Sequence, residues 1–170
     1  MAQRSGIEHR WSVLDGGSGS PTAQDGFYGG PWPTTAQRMA IYADAAPMLA
    51  TRAVAALADQ VATDGITHLV VASCTGFIAP GIDQKLVTML GLDPTVERLM
   101  VGYMGCYAAI VALRSARHIL RSEPDARVLV VCVELSSLHL QDDARVEPLL
   151  AMLQFGDGAA AALVSAGPGG

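Results

Sequence analysis

Aromatic residues make up only 5% of this 170-residue sequence, so its core has to come from Ala, Val, Leu and Ile. Basic residues are also few: 11 Lys and Arg stand against 16 Asp and Glu, a net charge of −5. With no basic stripe, the chain lacks the electrostatic footprint of a nucleic-acid binder. No apolar run reaches the roughly 18 residues that a membrane-spanning helix needs. Residues 1–11 are polar and basic, without the apolar stretch of a secretory signal. Cysteine occurs three times and never with C-x-x-C spacing, which argues against a zinc or redox pair and against a disulfide frame. The expected compartment is a reducing cytoplasm, and the question becomes which thiol is reactive.

What is abundant is aliphatic. Hydrophobic residues reach 51%, charged ones only 16%, and the mean hydropathy is +0.33. A chain of this length forms one domain with a real core, and its apolar surplus points to a surface that meets a partner.

Gly and Pro are dense between residues 15 and 34, from Gly16-Gly17-Ser18-Gly19 to Gly29-Gly30-Pro31-Trp32-Pro33. Residues 1–33 are therefore read as an N-terminal segment with a loop or linker, and residues 34–170 as the folded domain. A helix starts at Thr34-Thr35 and runs to Asp64-Gly65, with Pro47 expected to kink or divide it. His68 to Ser73 reads as a strand, Asp83 to Leu90 as a helix closed by Gly91, and Arg98 to Tyr103 as a strand. Cys106 to Arg121 then reads as a helix. Arg127 to Leu135 is a nearly unbroken apolar run, the mark of a strand buried on both faces. Pro148 to Leu153 is a candidate short helix and Ala159 to Val164 a last strand. Strands alternating with helices imply an α/β fold with a mostly parallel central sheet.

The segment Val101-Gly102-Tyr103-Met104-Gly105-Cys106-Tyr107-Ala108-Ala109 has a chemical logic. A strand ends, a glycine permits a tight turn, and a cysteine opens a helix. Unpaired N–H groups and a partial positive charge at a helix N-terminus favour a thiolate. The competing reading is a buried structural thiol, since free cysteines are often core residues. Cys132, inside Val130-Val131-Cys132-Val133, reads as core packing. Cys74 ends a strand, where sheets of this kind commonly face a pocket.

Taken together, Val101 to Ala109, Arg127 to Leu138 with Glu134, Phe155-Gly156-Asp157-Gly158-Ala159-Ala160, and Ser73-Cys74-Thr75-Gly76 through Pro80-Gly81 to Asp83 resemble the type III polyketide synthases. These are the chalcone and stilbene synthases and their bacterial relatives, and the likeness covers roughly residues 34 to 166. The resemblance implies a thiolase-like layered αβαβα fold with helices on both faces of the sheet, in a homodimer. It makes Cys106 the catalytic nucleophile, loaded from an acyl-CoA. Malonyl-CoA is then decarboxylated and condensed onto the bound starter, giving a pyrone, resorcinol, phloroglucinol or naphthalene product. Phe155 matches the aromatic between acyl cavity and CoA tunnel; without the resemblance it reads as a core residue. Cys74, Ala79, Ser136 and His139 match cavity positions, Ala79 being the one that reaches across the dimer. His139 also reads as a polar strand-end group and Asp157 as a turn former, and the resemblance makes Glu134 a structural or cavity group rather than an acid–base catalyst. The resemblance implies no resident cofactor and no metal, with CoA thioesters as substrates.

The sequence also departs from that family. Its members carry a catalytic histidine and asparagine in a second half, and none of His9, His68, His118 or His139 matches. The chain is accordingly expected to be a partial subunit, inactive alone, that needs a complementary C-terminal half. Arg4 is the one basic residue left to hold CoA phosphates. Other readings are a different thiolase-fold condensing enzyme, a non-catalytic dimerisation or assembly module, and a cysteine hydrolase, which lacks a histidine partner near the motif.

Overall fold

The long helix that begins at Thr35 is capped as its sequence suggests. The computed structural model describes residues 5–14 and 20–167; Arg4, Gly16 to Gly19 and the closing Pro168-Gly169-Gly170 fall outside the described residues. Helix α1 spans Thr35–Ala58, with the Thr34 side chain accepting from the Gln37 N–H and Gln37 reaching back to the Thr34 N–H. This reciprocal cap satisfies two of the donors that a helix start leaves free. Strand β1 follows at His68–Ala72, helix α2 at Ile82–Leu90 and strand β2 at Glu97–Val101. A single 3-10 turn at Gly105–Tyr107 leads into helix α3 at Ala108–Ser122. Strand β3 covers Arg127–Leu135, a second 3-10 turn Ser136–His139, helix α4 Val146–Gln154 and strand β4 Asp157–Ser165.

Pro47 does not divide α1. A proline inside a helix removes the N–H that would bond the carbonyl four residues earlier, here that of Ala43. The Lys85 ammonium of α2 donates to that oxygen at 2.5 Å. A side chain from the neighbouring helix thus replaces the missing backbone donor, and Pro47 itself is buried.

The four strands form one sheet in the order β2-β1-β3-β4. β1 pairs parallel with β2 and β3, from His68 opposite Glu97 and Val128 to Ala72 opposite Val101 and Cys132. β4 runs antiparallel to β3, with Leu135 opposite Asp157 and Arg127 opposite Ser165. The mostly parallel sheet expected from the sequence therefore carries one reversed edge strand.

Alternation along β3 decides the two layers. Leu129, Val131, Val133 and Leu135 face α1 and α2, where they meet Ala46, Ala50, Val54 and Leu86. Val128 and Val130 face α3 with Val70 and Ala72 of β1. α3 meets them through Ala108, Ala112 and Ala116, spaced by four so that they form one row down the helix. Small side chains let that helix lie close to the sheet. Each fully buried Leu or Val contributes about 1.5–3 kcal/mol of transfer free energy, so this aliphatic core makes up for the shortage of aromatics. Cys132, on the α3 side of β3, is partly buried against this layer as its strand position implies.

Residues 20–34 are not a free linker. Turns close through Tyr28 N–H to Pro21 O at 2.8 Å and Gly29 N–H to Gly26 O at 2.9 Å. Tyr28 is buried, and its hydroxyl donates to the Ser137 carbonyl at 2.8 Å. Its ring packs on Trp32 and under the Arg38 guanidinium. Among the described residues, no helix is long and apolar enough to cross a membrane.

Candidate active site

Parallel strands put their C-terminal ends on one side of the sheet, and the residues singled out from sequence gather there. Cys74 and Thr75 follow β1, Cys106 follows β2, Ser136 and His139 follow β3, and Phe155 precedes β4, whose reversed direction brings its start to the same end. An open cleft of about 340 Å³ is lined by Cys74, Thr75, Ser136, His139, Leu140, Ala151, Met152 and Phe155. That volume lies within the usual range for small-molecule sites. Larger hollows exist beside Trp11 and beside Asp64, but neither is lined by a cysteine.

Cys106 stands in the 3-10 turn rather than inside the α-helix proper, which starts two residues later at Ala108. It is exposed. Two left-handed residues shape this elbow, Tyr103 at φ 59° and Gly105 at φ 62°. Gly105 adopts that conformation freely; a bulky tyrosine does so only against strain, and such strain gathers at functional turns. The sequence pointed to Gly105 but held no sign of Tyr103. Cys74 braces the turn from below: its Sγ accepts from the Met104 N–H at 3.3 Å and lies 3.8 Å from the Gly105 carbonyl.

Glu134 holds the other wall. Its carboxylate accepts the Cys74 N–H at 2.9 and 3.0 Å, the Thr75 N–H at 3.0 Å and the Thr75 hydroxyl at 2.7 Å. Thr75 Oγ1 in turn accepts the Leu135 N–H at 2.8 Å. A carboxylate so surrounded by donors fits the structural role read from sequence. Its proximity, after the larger effect of burial, pushes the Cys132 thiol up from its ordinary range.

His139 is exposed, and its Nε2 sits 2.5 Å from the Thr75 carbonyl. Since a carbonyl only accepts, Nε2 is the donor in this contact. Among the described residues no histidine hydrogen-bonds Cys106. Phe155 is 49% exposed on the cleft, so the core reading of this side chain is overturned. Ala79 is exposed, in the cis Ala79–Pro80 peptide, and does not line the cleft.

Asp157 is more than a turn former. Its carboxylate accepts the Ser137 N–H at 2.7 Å, the Ser137 hydroxyl at 2.6 Å and the Val13 N–H at 2.7 Å, while its own N–H donates to the Trp11 carbonyl at 2.8 Å. Arg38, buried, supports the same turn by donating to the carbonyls of Leu138 and Leu140 at 2.7 and 3.1 Å. Sequence reading missed both roles, because the partners lie from 20 to 144 residues away and meet these side chains only in the folded chain.

The family model described as "Chalcone and stilbene synthases, N-terminal domain" matches residues 27–168. The chain belongs to the chalcone and stilbene synthase family. Its relatives in that family include the alpha-pyrone synthesis polyketide synthase-like Pks18 of Mycobacterium tuberculosis. The two are 39% identical over 137 residues, covering 78% of this chain and 34% of Pks18. Bisdemethoxycurcumin synthase of Oryza sativa subsp. japonica is 43% identical over 139 residues, covering 79% and 34%. Among solved structures, 1,3,6,8-tetrahydroxynaphthalene synthase from Streptomyces coelicolor A3(2) superposes with a TM-score of 0.71 at 34% identity, covering 81% of this chain and 40% of that one. CsyB complexed with CoA-SH gives 0.82 at 28% identity, covering 99% and 46%. The fold is thus the thiolase-like one of the type III polyketide synthases, and the chain spans about a third of the curated relatives' length.

Proposed function

We propose that this chain is the nucleophile-bearing part of a type III polyketide synthase, an acyltransferase acting on CoA thioesters. The observation that carries the reading is the exposed Cys106 on a strained elbow, braced by Cys74, which also lines the cleft with Phe155, Ser136 and His139. The Cys106 thiolate attacks the thioester carbonyl, a new C–S bond forms, and CoA departs as its thiolate. Malonyl-CoA then loses CO2, and the carbanion so formed attacks the Cys106-bound carbonyl. A C–C bond forms, and sulfur leaves with its electron pair, ready for further acylation or product release.

In this reading Phe155 borders the acyl space, Cys74, Ser136 and His139 shape it, and Ala79 approaches the cavity of a second subunit. The carbonyl-binding and decarboxylating groups come from residues outside this stretch, supplied by a complementary C-terminal half in a homodimer. On its own, the chain forms the acyl-enzyme slowly and does not extend it. No resident cofactor or metal takes part in this chemistry. A reactive free thiol suits a reducing compartment such as the cytoplasm.

The test is incubation with acetyl-CoA and with a long-chain acyl-CoA, followed by peptide mapping of the acyl group. Acylation at Cys106, lost in Cys106→Ala, supports the reading. Acyl transfer confined to Cys74 or Cys132, or none in a chain shown by circular dichroism to be folded, overturns it.

A further inference from the structure

The end of the sheet opposite Cys106 holds a second constellation. His68 opens β1, Glu97 opens β2, and Glu123 directly follows α3. One ligand atom from each lies within 4.8 Å of the others. His68 Nε2 is 3.6 Å from Glu97 Oε2 and 3.8 Å from Glu123 Oε2. These separations are too long for hydrogen bonds. They are close to the roughly 3.4 Å that keeps two donors at about 2.1 Å from one tetrahedral ion.

The imidazole supplies the second observation. His68 is only 5% exposed, yet among the described residues its Nε2 has no hydrogen-bond partner and is aimed at the two carboxylates. Its other nitrogen is fixed, with Nδ1 2.9 Å from Thr67 Oγ1. That hydroxyl accepts the Arg127 N–H at 2.9 Å and lies 3.3 Å from the Arg127 carbonyl, to which it can donate. When an ion binds, the Thr67 proton turns to that carbonyl, Nδ1–H donates to Thr67 Oγ1, and Nε2 presents its lone pair to the metal. A metal-binding histidine commonly has its second nitrogen held in this way.

The cleft in front of Nε2, about 330 Å³, is lined by Glu97, Glu123, Ser122 and a second histidine, His118. Arg98 borders it as well, but its guanidinium is held by Asp83 at 2.8 Å. One or two imidazoles with two carboxylates suit a divalent transition metal; magnesium and calcium prefer oxygen ligands throughout.

We infer that His68, Glu97 and Glu123 form a binding site for a divalent transition-metal ion of the zinc class, remote from the acyl cleft. Such an ion joins the first residues of β1 and β2 to the end of α3, so its role is to clamp the edge strand and that helix to the centre of the sheet. It contributes nothing to acyl transfer.

Cobalt(II) chloride, added to the full chain, reports the site through its visible ligand-field absorption and through thermal melting. The expected result is one ion per chain, with nitrogen–oxygen-type absorption and a raised Tm. Glu97→Gln combined with Glu123→Gln, at side chains 71% and 56% exposed, weakens cobalt binding about tenfold or more. Should the double variant fail to fold, Glu123→Gln alone makes the same comparison. Cys106→Ala leaves the absorption unchanged. Absence of binding overturns the inference, as does binding that the glutamine variants leave intact. Sulfur-to-cobalt charge transfer overturns it too, since the thiols would then hold the ion.

Discussion

Glu134 receives the backbone N–H of Cys74 on both of its carboxylate oxygens, at 2.9 and 3.0 Å. One side chain at the end of β3 thereby fixes the residue that braces the nucleophile turn after β2. Three strand ends are coupled through it, since Cys74 follows β1.

Glu134→Gln keeps the shape and removes the charge, and the amide turns a donor toward N–H groups that need an acceptor. A hydrogen bond to a charged group contributes about 1.5–3 kcal/mol. The variant is expected to lose about 2–3 kcal/mol of stability, measured by urea unfolding, and to acylate Cys106 more slowly. An unchanged midpoint would show that water replaces these contacts.

Alkylation should separate the thiols by pH. Burial, and secondarily the Glu134 charge, raise the pKa of Cys132, so its reactive thiolate fraction at neutral pH is depressed. Cys106 is exposed, so reagent reaches its sulfur directly. Iodoacetamide at neutral pH is expected to label Cys106 first and Cys132 only as pH rises, read by peptide mapping. Faster labelling of Cys132 in the folded chain would contradict the geometry.

The Lys85–Ala43 contact can be isolated by a double-mutant cycle. Lys85→Met leaves the Ala43 carbonyl without a donor and should cost about 1–2 kcal/mol. In a Pro47→Ala background the backbone N–H returns to satisfy Ala43, so the same substitution should cost less. Equal costs in both backgrounds, measured by denaturant unfolding, would show that Lys85 acts elsewhere.

Tyr42 is buried, and burial first of all holds its phenol above the ordinary range. Its hydroxyl lies 2.6 Å from Ser73 Oγ. A phenol whose pKa is higher in the folded chain binds more protons there than in the unfolded one. Stability is therefore full below about pH 10, the unfolded phenol value, and falls as pH rises toward the folded value. Tyr42→Phe should flatten that alkaline decline in thermal melts while losing about 1 kcal/mol at neutral pH.

Gly76 approaches the Tyr42 ring so closely that an added Cβ would overlap it. Because that ring is buried and hydrogen-bonded, it cannot swing aside. Gly76→Ala should destabilise by about 1–3 kcal/mol, detected as a lowered Tm.

Much of this architecture can be read along the chain, and the limits are physical. The β3 run from Arg127 to Leu135, Gly91 closing α2, and the Gly105-Cys106 elbow are local signals, and each appears where local patterning places it. The direction of β4 is not a local signal: Ala159 to Val164 reads as strand whichever way it runs, and only pairing with β3 reverses it. Pro47 misleads for a related reason, because the donor that repairs its helix sits on α2. Ser136, His139 and Phe155 as cleft positions rest on family resemblance, Cys74 also on its place at a strand end, and the structure gathers all four at one opening. Ala79 is not among them within this chain. The roles of Arg38 and Tyr28, and the bonding of Asp157 beyond its turn, become visible only after the chain has folded back on itself.

Asp157 also bears on the order of events during synthesis. As the first residue of the last strand, it joins Val13, emerging early from the ribosome, to Ser137. Contacts this distant in sequence carry a large loop-closure cost and form late. The cleft wall at Ser136–His139 is then the last part of the site to set, after the elbow that bears Cys106. Until residue 157 is made, a nascent chain presents its nucleophile on a half-built cavity.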